Sequence, residues 1–164
     1  MYNKLGAHLV AGDPSGTHFA VWAPNAQEVS VIGDFNGWQP GRHPLEPRAS
    51  SGVWEGFLPG LGQGTLYKYA IRNGNFHVDK ADPIGFAAEI RPQTASKVWD
   101  LSYTWNDGEW MARRGRAGAL EAPITIYEVH LGSWRRVPEQ GNRWPTYREL
   151  AAQLPGYVHD MGYT

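Results

Sequence analysis

From Thr17 to Pro24 apolar and polar positions alternate, with Phe19, Val21 and Ala23 on one side and His18, Ala20 and Trp22 on the other. That period of two predicts a half-buried strand, ended by Pro24-Asn25 because proline cannot donate to a central ladder. Val29 and Val31 share a face in the next strand, which stops at Gly33-Asp34-Phe35-Asn36-Gly37-Trp38. Val53, Glu55 and Phe57 then stand opposite Trp54, Gly56 and Leu58, and Tyr67, Tyr69 and Ile71 stand opposite Leu66, Lys68 and Ala70. Asn73-Gly74 predicts a hairpin turn into Phe76–Asp79, since both residues tolerate positive φ. A short first strand over 6–12 and a last one over 96–100 complete the set, and the polar stretch Gln39–Gly52 reads as loop. Short strands at regular spacing with turn residues between them predict a β-sandwich.

Downstream the pattern changes. From Ile124 to Leu131 every residue is apolar, aromatic or β-branched except Glu128 and His130, with Pro123 in front and Gly132 behind. Such a run predicts a strand buried on both faces, as in a parallel sheet. Thr146-Tyr147-Arg148-Glu149 is a capping box opening a helix, with Leu150, Leu154, Tyr157 or Val158, and Met161 on one face. Pro155-Gly156 predicts a kink or two short pieces, because an interior proline costs ~3 kcal/mol. Residues 101–122 read as a linker, with Arg113-Arg114-Gly115-Arg116 a solvated basic turn. A single strand and helix leave strand edges and faces uncovered, so the chain is expected to be the front end of something larger.

Composition narrows the partners. A net charge of −1 makes no electrostatic case for nucleic acid or a membrane surface. No apolar run approaches the ~20 residues of a spanning helix, and there is no signal-peptide h-region. The absence of cysteine removes thiolate and disulfide chemistry and fits a reducing cytoplasm, the expected location. Eight Trp exceed what a small core needs, because indole is large and wants a partner for its N–H, so some of them are expected to be exposed for a functional reason. The six His are scattered, with His77 and Asp79 the one close pair. No metal or cofactor is expected.

Three motifs together resemble the start of 1,4-α-glucan (glycogen) branching enzymes of the α-amylase clan. Phe19-Ala20-Val21-Trp22-Ala23-Pro24 followed by Val31–Trp38, with Gly64–Tyr69 and Asp79–Pro83, resembles a family 48 carbohydrate-binding module. Ile126–Arg136 resembles the first barrel strand and following loop of branching enzymes, and Tyr147–Leu150 running on to Met161–Thr164 resembles the first barrel helix. The family tends to place its proline one position later than Pro155. The resemblance implies a mainly β fold: an immunoglobulin-like β-sandwich over 1–100, the linker, and over 123–164 the first strand and helix of a TIM (β/α)8 barrel. It implies transfer of an α-1,4-glucan segment to a glucose O6 by a retaining mechanism that needs no cofactor or metal. The catalytic carboxylates would lie past Thr164, so this chain carries no catalytic residue and is expected to be inactive alone. Glu128 and His130 read as hydrogen-bonded core groups. The rivals are a non-catalytic glycogen- or starch-binding module, against which Gly132-Ser133-Trp134-Arg135 and the capped helix argue, and the start of a debranching or trehalose-forming hydrolase.

The expected partner is an α-glucan, together with packing onto the absent barrel. A sugar ring has an apolar face rimmed by hydroxyls and calls for flat aromatics with placed polar groups. By resemblance Trp38, Lys68 and Phe76 fall at the sugar-contact positions of glycogen-binding modules, with Phe76 where those often carry Trp. Trp99, which stands where a polar contact is usual, is not carried over. The structural alternative for Trp38 is a turn residue, in a module that packs on the barrel and binds no sugar.

Overall fold

The alternating segments become strands in the computed structural model, which describes residues 1–163. They are β1 (Gly6–Val10), β2 (Gly16–Trp22), β3 (Glu28–Gly33), β4 (Glu46–Pro47), β5 (Val53–Pro59), β6 (Leu66–Asn73), β7 (Phe76–Lys80), β8 (Ala87–Ala88) and β9 (Ser96–Lys97). One sheet runs β1-β2-β5-β4, the other β3-β6-β9-β8 with β7 also paired to β6, and every pairing is antiparallel. Phe19, Val21, Val29, Val31, Leu58, Tyr67 and Tyr69 point into one shared core, as the alternation predicts. Each such side chain contributes ~1.5–3 kcal/mol by leaving water. Trp22 and Lys68 fall outside this core on the opposite faces of their strands.

Gln39–Gly52 is more than a loop. His43–Leu45 lies along the outer edge of β3, with Val31 N donating to His43 O (2.9 Å) and Leu45 N to Val29 O (2.9 Å). Immediately after it, Glu46 and Pro47 pair with Glu55 and Trp54 in the other sheet. The segment therefore crosses from one sheet to the other and buries Leu45 where it does so. The hairpin turn also moves by one residue. Its central pair is Gly74-Asn75, with Asn73 opposite Phe76, and only Gly74 has positive φ (57°). Glycine with positive φ in the first central position is the pattern of a type II′ turn.

Gly33 shows how tightly the sheets leave the turn after β3. A Cβ there would lie 2.2 Å from the Leu66 carbonyl oxygen and 2.4 Å from the Phe35 ring. Its φ of −178° is ordinary extended backbone, so the demand is for space alone. Gly33→Ala is expected to destabilise the chain by about 1–3 kcal/mol, the usual cost of overpacking, read as a lower thermal midpoint with unchanged far-UV spectrum at 20 °C (roughly room temperature).

The chain divides into units Met1–Tyr103 and Thr104–Thr164. In the second, the residues read as linker contain helix α1 (Gly108–Ala117), so Arg113, Arg114 and Arg116 are helical and not in a turn. The strand expected over Ile124–Leu131 does not form. Residues 124–130 join no ladder, Ile124 and Ile126 are 74% and 79% exposed, and Glu128 and His130 are exposed where core positions were expected. A strand exists only where a neighbour takes its N–H and C=O groups, and no described strand lies within this unit. Tyr127 instead meets Tyr157 and Tyr163 edge-on, at centroid distances of 6.0 and 5.3 Å. Short helix α2 (Leu131–Trp134) follows, and the Arg135 guanidinium stacks 4.4 Å from the Trp134 ring centre.

Helix α3 (Tyr147–Asp160) starts at the expected capping box and is continuous through Pro155, so the expected break into two pieces is not found. Proline lacks the N–H that would bond the carbonyl four residues back, at Ala151, and the helix carries that one lost bond without ending. Leu150 is buried, whereas Met161, expected on the same face, lies beyond the helix and is exposed. Arg143 and the Thr146 backbone and hydroxyl all donate to the Glu149 carboxylate, holding it down at about 2 against an ordinary 4.5. A depressed carboxylate stabilises the fold above its ordinary value and loses that contribution as pH falls towards its folded one. Helicity over 146–160 is therefore expected to decline between pH 4.5 and 2, and Glu149→Gln should flatten that decline in a circular dichroism titration.

Candidate functional site

The end of β3 is built by its glycines and by Asn36. The chain leaves Gly33 into a 3-10 turn, Asp34–Asn36, and then passes through two left-handed residues, Gly37 (φ 64°) and Trp38 (φ 59°). Glycine adopts that conformation freely, but tryptophan does not, and a non-glycine residue held there costs about 1–3 kcal/mol. Two bonds hold Trp38 in place: its N–H donates to Gly33 O (2.9 Å) and its indole N–H to the Asp34 carboxylate (2.7 Å). The second bond lies in the ring plane, so it satisfies the indole without covering a ring face.

Beneath the turn, buried Asn36 accepts from Gly33 N–H at 3.0 Å, donates to Val31 O at 3.0 Å and bonds His43 Nδ1 at 2.9 Å. Gly33 pairs with Tyr67, so Trp38 leaves β3 next to Lys68, which is opposite Ile32 and points away from the Tyr67/Tyr69 face. Trp38 and Lys68 thus come to the same end of the β3–β6 pair.

Phe76 does not join them. It pairs with Asn73 and so shares the face of Tyr67, Tyr69 and Ile71, opposite to that of Lys68. It also sits five residues further along β6, ~17 Å at strand rise, and is 62% exposed. On the Lys68 face the register sets His77 beside Arg72 and Asp79 beside Ala70. An open groove of about 510 Å³ follows that face, with Ser30, Ala70, Arg72 and His77 along it and Pro40 and Gly41 as its wall. Gly41 N–H donates to Ser30 Oγ (2.9 Å), tying the wall to the strand. Arg72 makes a two-armed ion pair with Glu28 and holds that carboxyl below its ordinary range. His77 and Asp79, the one close pair in the sequence, lie two apart on β7 and share this face. They form no metal centre: among the described residues no group of three or more His, Cys, Asp or Glu could hold an ion.

Behind this end of the sandwich lies a buried carboxylate. Asp82 Oδ2 accepts from Tyr67 OH (2.7 Å) and Tyr69 OH (3.2 Å), and Oδ1 accepts from Ile84 N–H (2.8 Å). Burial raises the Asp82 carboxyl, opposed by these donors, and raises both phenols well above their ordinary value. The network ties the segment after β7 to the core strands.

Residues 4–85 match carbohydrate-binding module 48 (isoamylase N-terminal domain). Over its whole length the chain is 54% identical to the 1,4-alpha-glucan branching enzyme GlgB of Aquifex aeolicus, of which it spans 26%. It is 58% identical to the enzyme of the same name from Rubrobacter xylanophilus, again over its whole length and spanning 23% of that protein. A solved structure of a Salmonella typhimurium protein assigned as an alpha amylase superposes with a TM-score of 0.64 at 24% identity, over 98% of this chain and 23% of that one. That likeness speaks for the fold. The chain spans about a quarter of the length of the curated relatives it matches. No described helix is long and apolar enough to cross a membrane. With half of the chain and strands β1 to β7 inside the matched span, this protein belongs to the carbohydrate-binding module 48 family.

Proposed function

We propose that this chain is the N-terminal portion of a glycogen branching enzyme, and that its sandwich binds α-glucan at the Trp38–Lys68 end. The whole enzyme cuts an α-1,4-glucan and rejoins the segment to a glucose O6, working in the cytoplasm without a cofactor. Residues 123–164 supply the first strand and helix of its barrel, and the strand forms when the rest of the barrel provides neighbours. The matches above 50% identity along the entire chain favour this over a free-standing glycogen-binding module.

The observation that carries glucan binding is the strained Trp38. A tryptophan held at φ 59° and bonded through its edge to Asp34 is an expensive way to turn a chain. It is a reasonable way to present a flat apolar ring at the Lys68 end of the β3–β6 pair. The strain is conformational and the ring is what it positions. Wild-type chain should be retarded in a native gel containing glycogen, and Trp38→Ala should be retarded markedly less. Equal mobility of the wild type with and without glycogen would refute the binding reading. Transferase activity of the full-length enzyme on amylose, followed by branch-specific debranching, tests the larger one.

A further inference from the structure

A second groove, this one lined by aromatic rings, lies along β1, the outer strand of the four-stranded sheet, and shares no residue with the groove beside Arg72 and His77. It has a volume of about 400 Å³, within the ~300–1,000 Å³ of small-ligand clefts. Three aromatic rings line it, Tyr2, Phe86 and Trp99, together with the polar side chains of Asn3, His8 and Asp100.

The rings are placed by the fold. Val98 is fully buried, with its N–H donated to Thr65 O (2.9 Å) and its carbonyl taken by Gly64 N–H (2.8 Å). Alternation along an extended chain then turns Trp99 outward, and it is 42% exposed. Phe86 stands edge-on to His8 at 5.2 Å between ring centres, and His8 Nε2 lies 3.0 Å from Leu5 O, so this wall is fixed before any ligand arrives. Two-torsion aromatic side chains offer contact area at a small entropy cost.

The polar groups select the kind of ligand. Asp100 accepts from Ser102 N–H (2.8 Å) and Ser102 Oγ (2.7 Å), one on each carboxylate oxygen. Each oxygen keeps acceptor capacity for a further donor, and the two bonds hold the carboxyl below its ordinary range. Lys and Arg are absent from the lining, which disfavours anionic ligands. A neutral molecule with apolar ring faces and many hydroxyl donors meets both halves of this surface.

We propose that the groove is a second α-glucan subsite, in which a glucose ring stacks on Trp99 and Tyr2 and donates its hydroxyls to Asp100. The proposal rests on the glucan-binding reading above. Two subsites on one module would let a branched polymer engage both at once, and the second contact then forms at a high effective concentration.

Titration of the ¹⁵N-labelled 164-residue chain with maltoheptaose tests it, in the wild type and in Trp38→Ala. The Trp99 indole and His8 amide resonances are expected to shift and saturate in both proteins. If the Trp38 indole responds in the wild type while Trp99 and His8 stay still, the second subsite falls and the first stands. If neither indole responds, both readings fall. Tyr2→Ala, at an exposed residue, should weaken the affinity reported by Trp99 by about threefold to tenfold, as loss of one ring contact predicts. Unchanged affinity in that variant would overturn the stacking geometry.

Discussion

Asp82→Ala is expected to lower the thermal midpoint of the sandwich unit by about 12–40 °C, at the scale of ~4–8 °C per kcal/mol for a domain of about 100 residues. The substitution strands the hydroxyls of Tyr67 and Tyr69 and the N–H of Ile84, all aimed at one carboxylate. Leaving a buried polar group unpaired costs ~1–3 kcal/mol, so a loss of about 3–5 kcal/mol follows for the set. Asp82→Asn should cost less, since its carbonyl still accepts from the phenols, and only the Ile84 N–H, now facing the amide NH2, loses its acceptor. The two variants also separate charge from shape. Burial raises the Asp82 carboxyl above 3.8, so protonation favours the fold. That contribution is complete below the ordinary aspartate value and is lost as pH rises through the folded one. The asparagine variant should lack this component of the stability profile, measured by urea unfolding at a series of pH values.

Asn36→Ala is the second large effect, and it should reach function through structure. Three hydrogen bonds to a side chain only 6% exposed disappear, and with them the link from the turn to Val31 and to His43. A cost of about 2–4 kcal/mol is expected. Asn36 has no role as a sugar contact in this scheme, yet its loss releases the turn that keeps Trp38 left-handed. Glycogen retardation should therefore fall even at temperatures where the variant remains folded. Full retardation in a folded Asn36→Ala chain would mean that the strained turn is not what presents the ring.

The alternating strands were legible because one face of each is buried: Phe19 and Val21, Val29 and Val31, and Tyr67 and Tyr69 all lie in the core. Residues 43–47 were not, since Pro44 and Pro47 interrupt any period and their partners, Ser30 and Trp54, are remote in sequence. Residues 124–130 misled for the opposite reason. Their apolarity is real, but pairing depends on neighbours this unit does not supply. Trp38 could be found from its Gly-Asp-Phe-Asn-Gly turn. Phe76 should have been separated from Lys68 at the outset, because a two-residue turn at either Asn73-Gly74 or Gly74-Asn75 puts it on the Tyr67 face. Resemblance had supplied a position where register supplies a direction.

The strand that crosses between the sheets has a further consequence, for how the module comes apart. Leu45 is bonded to β3 in one sheet and is followed at once by Glu46, paired to β5 in the other. Neither sheet can peel away without tearing this short connection, so separation of the two layers has no inexpensive intermediate. The amides of Val31 and Leu45 should then exchange with solvent only through complete opening of the sandwich, reporting its global free energy, while those of edge strand β1 exchange through local fraying. A five-residue stretch with no regular pattern of its own acts as the clasp that makes two thin sheets one cooperative body.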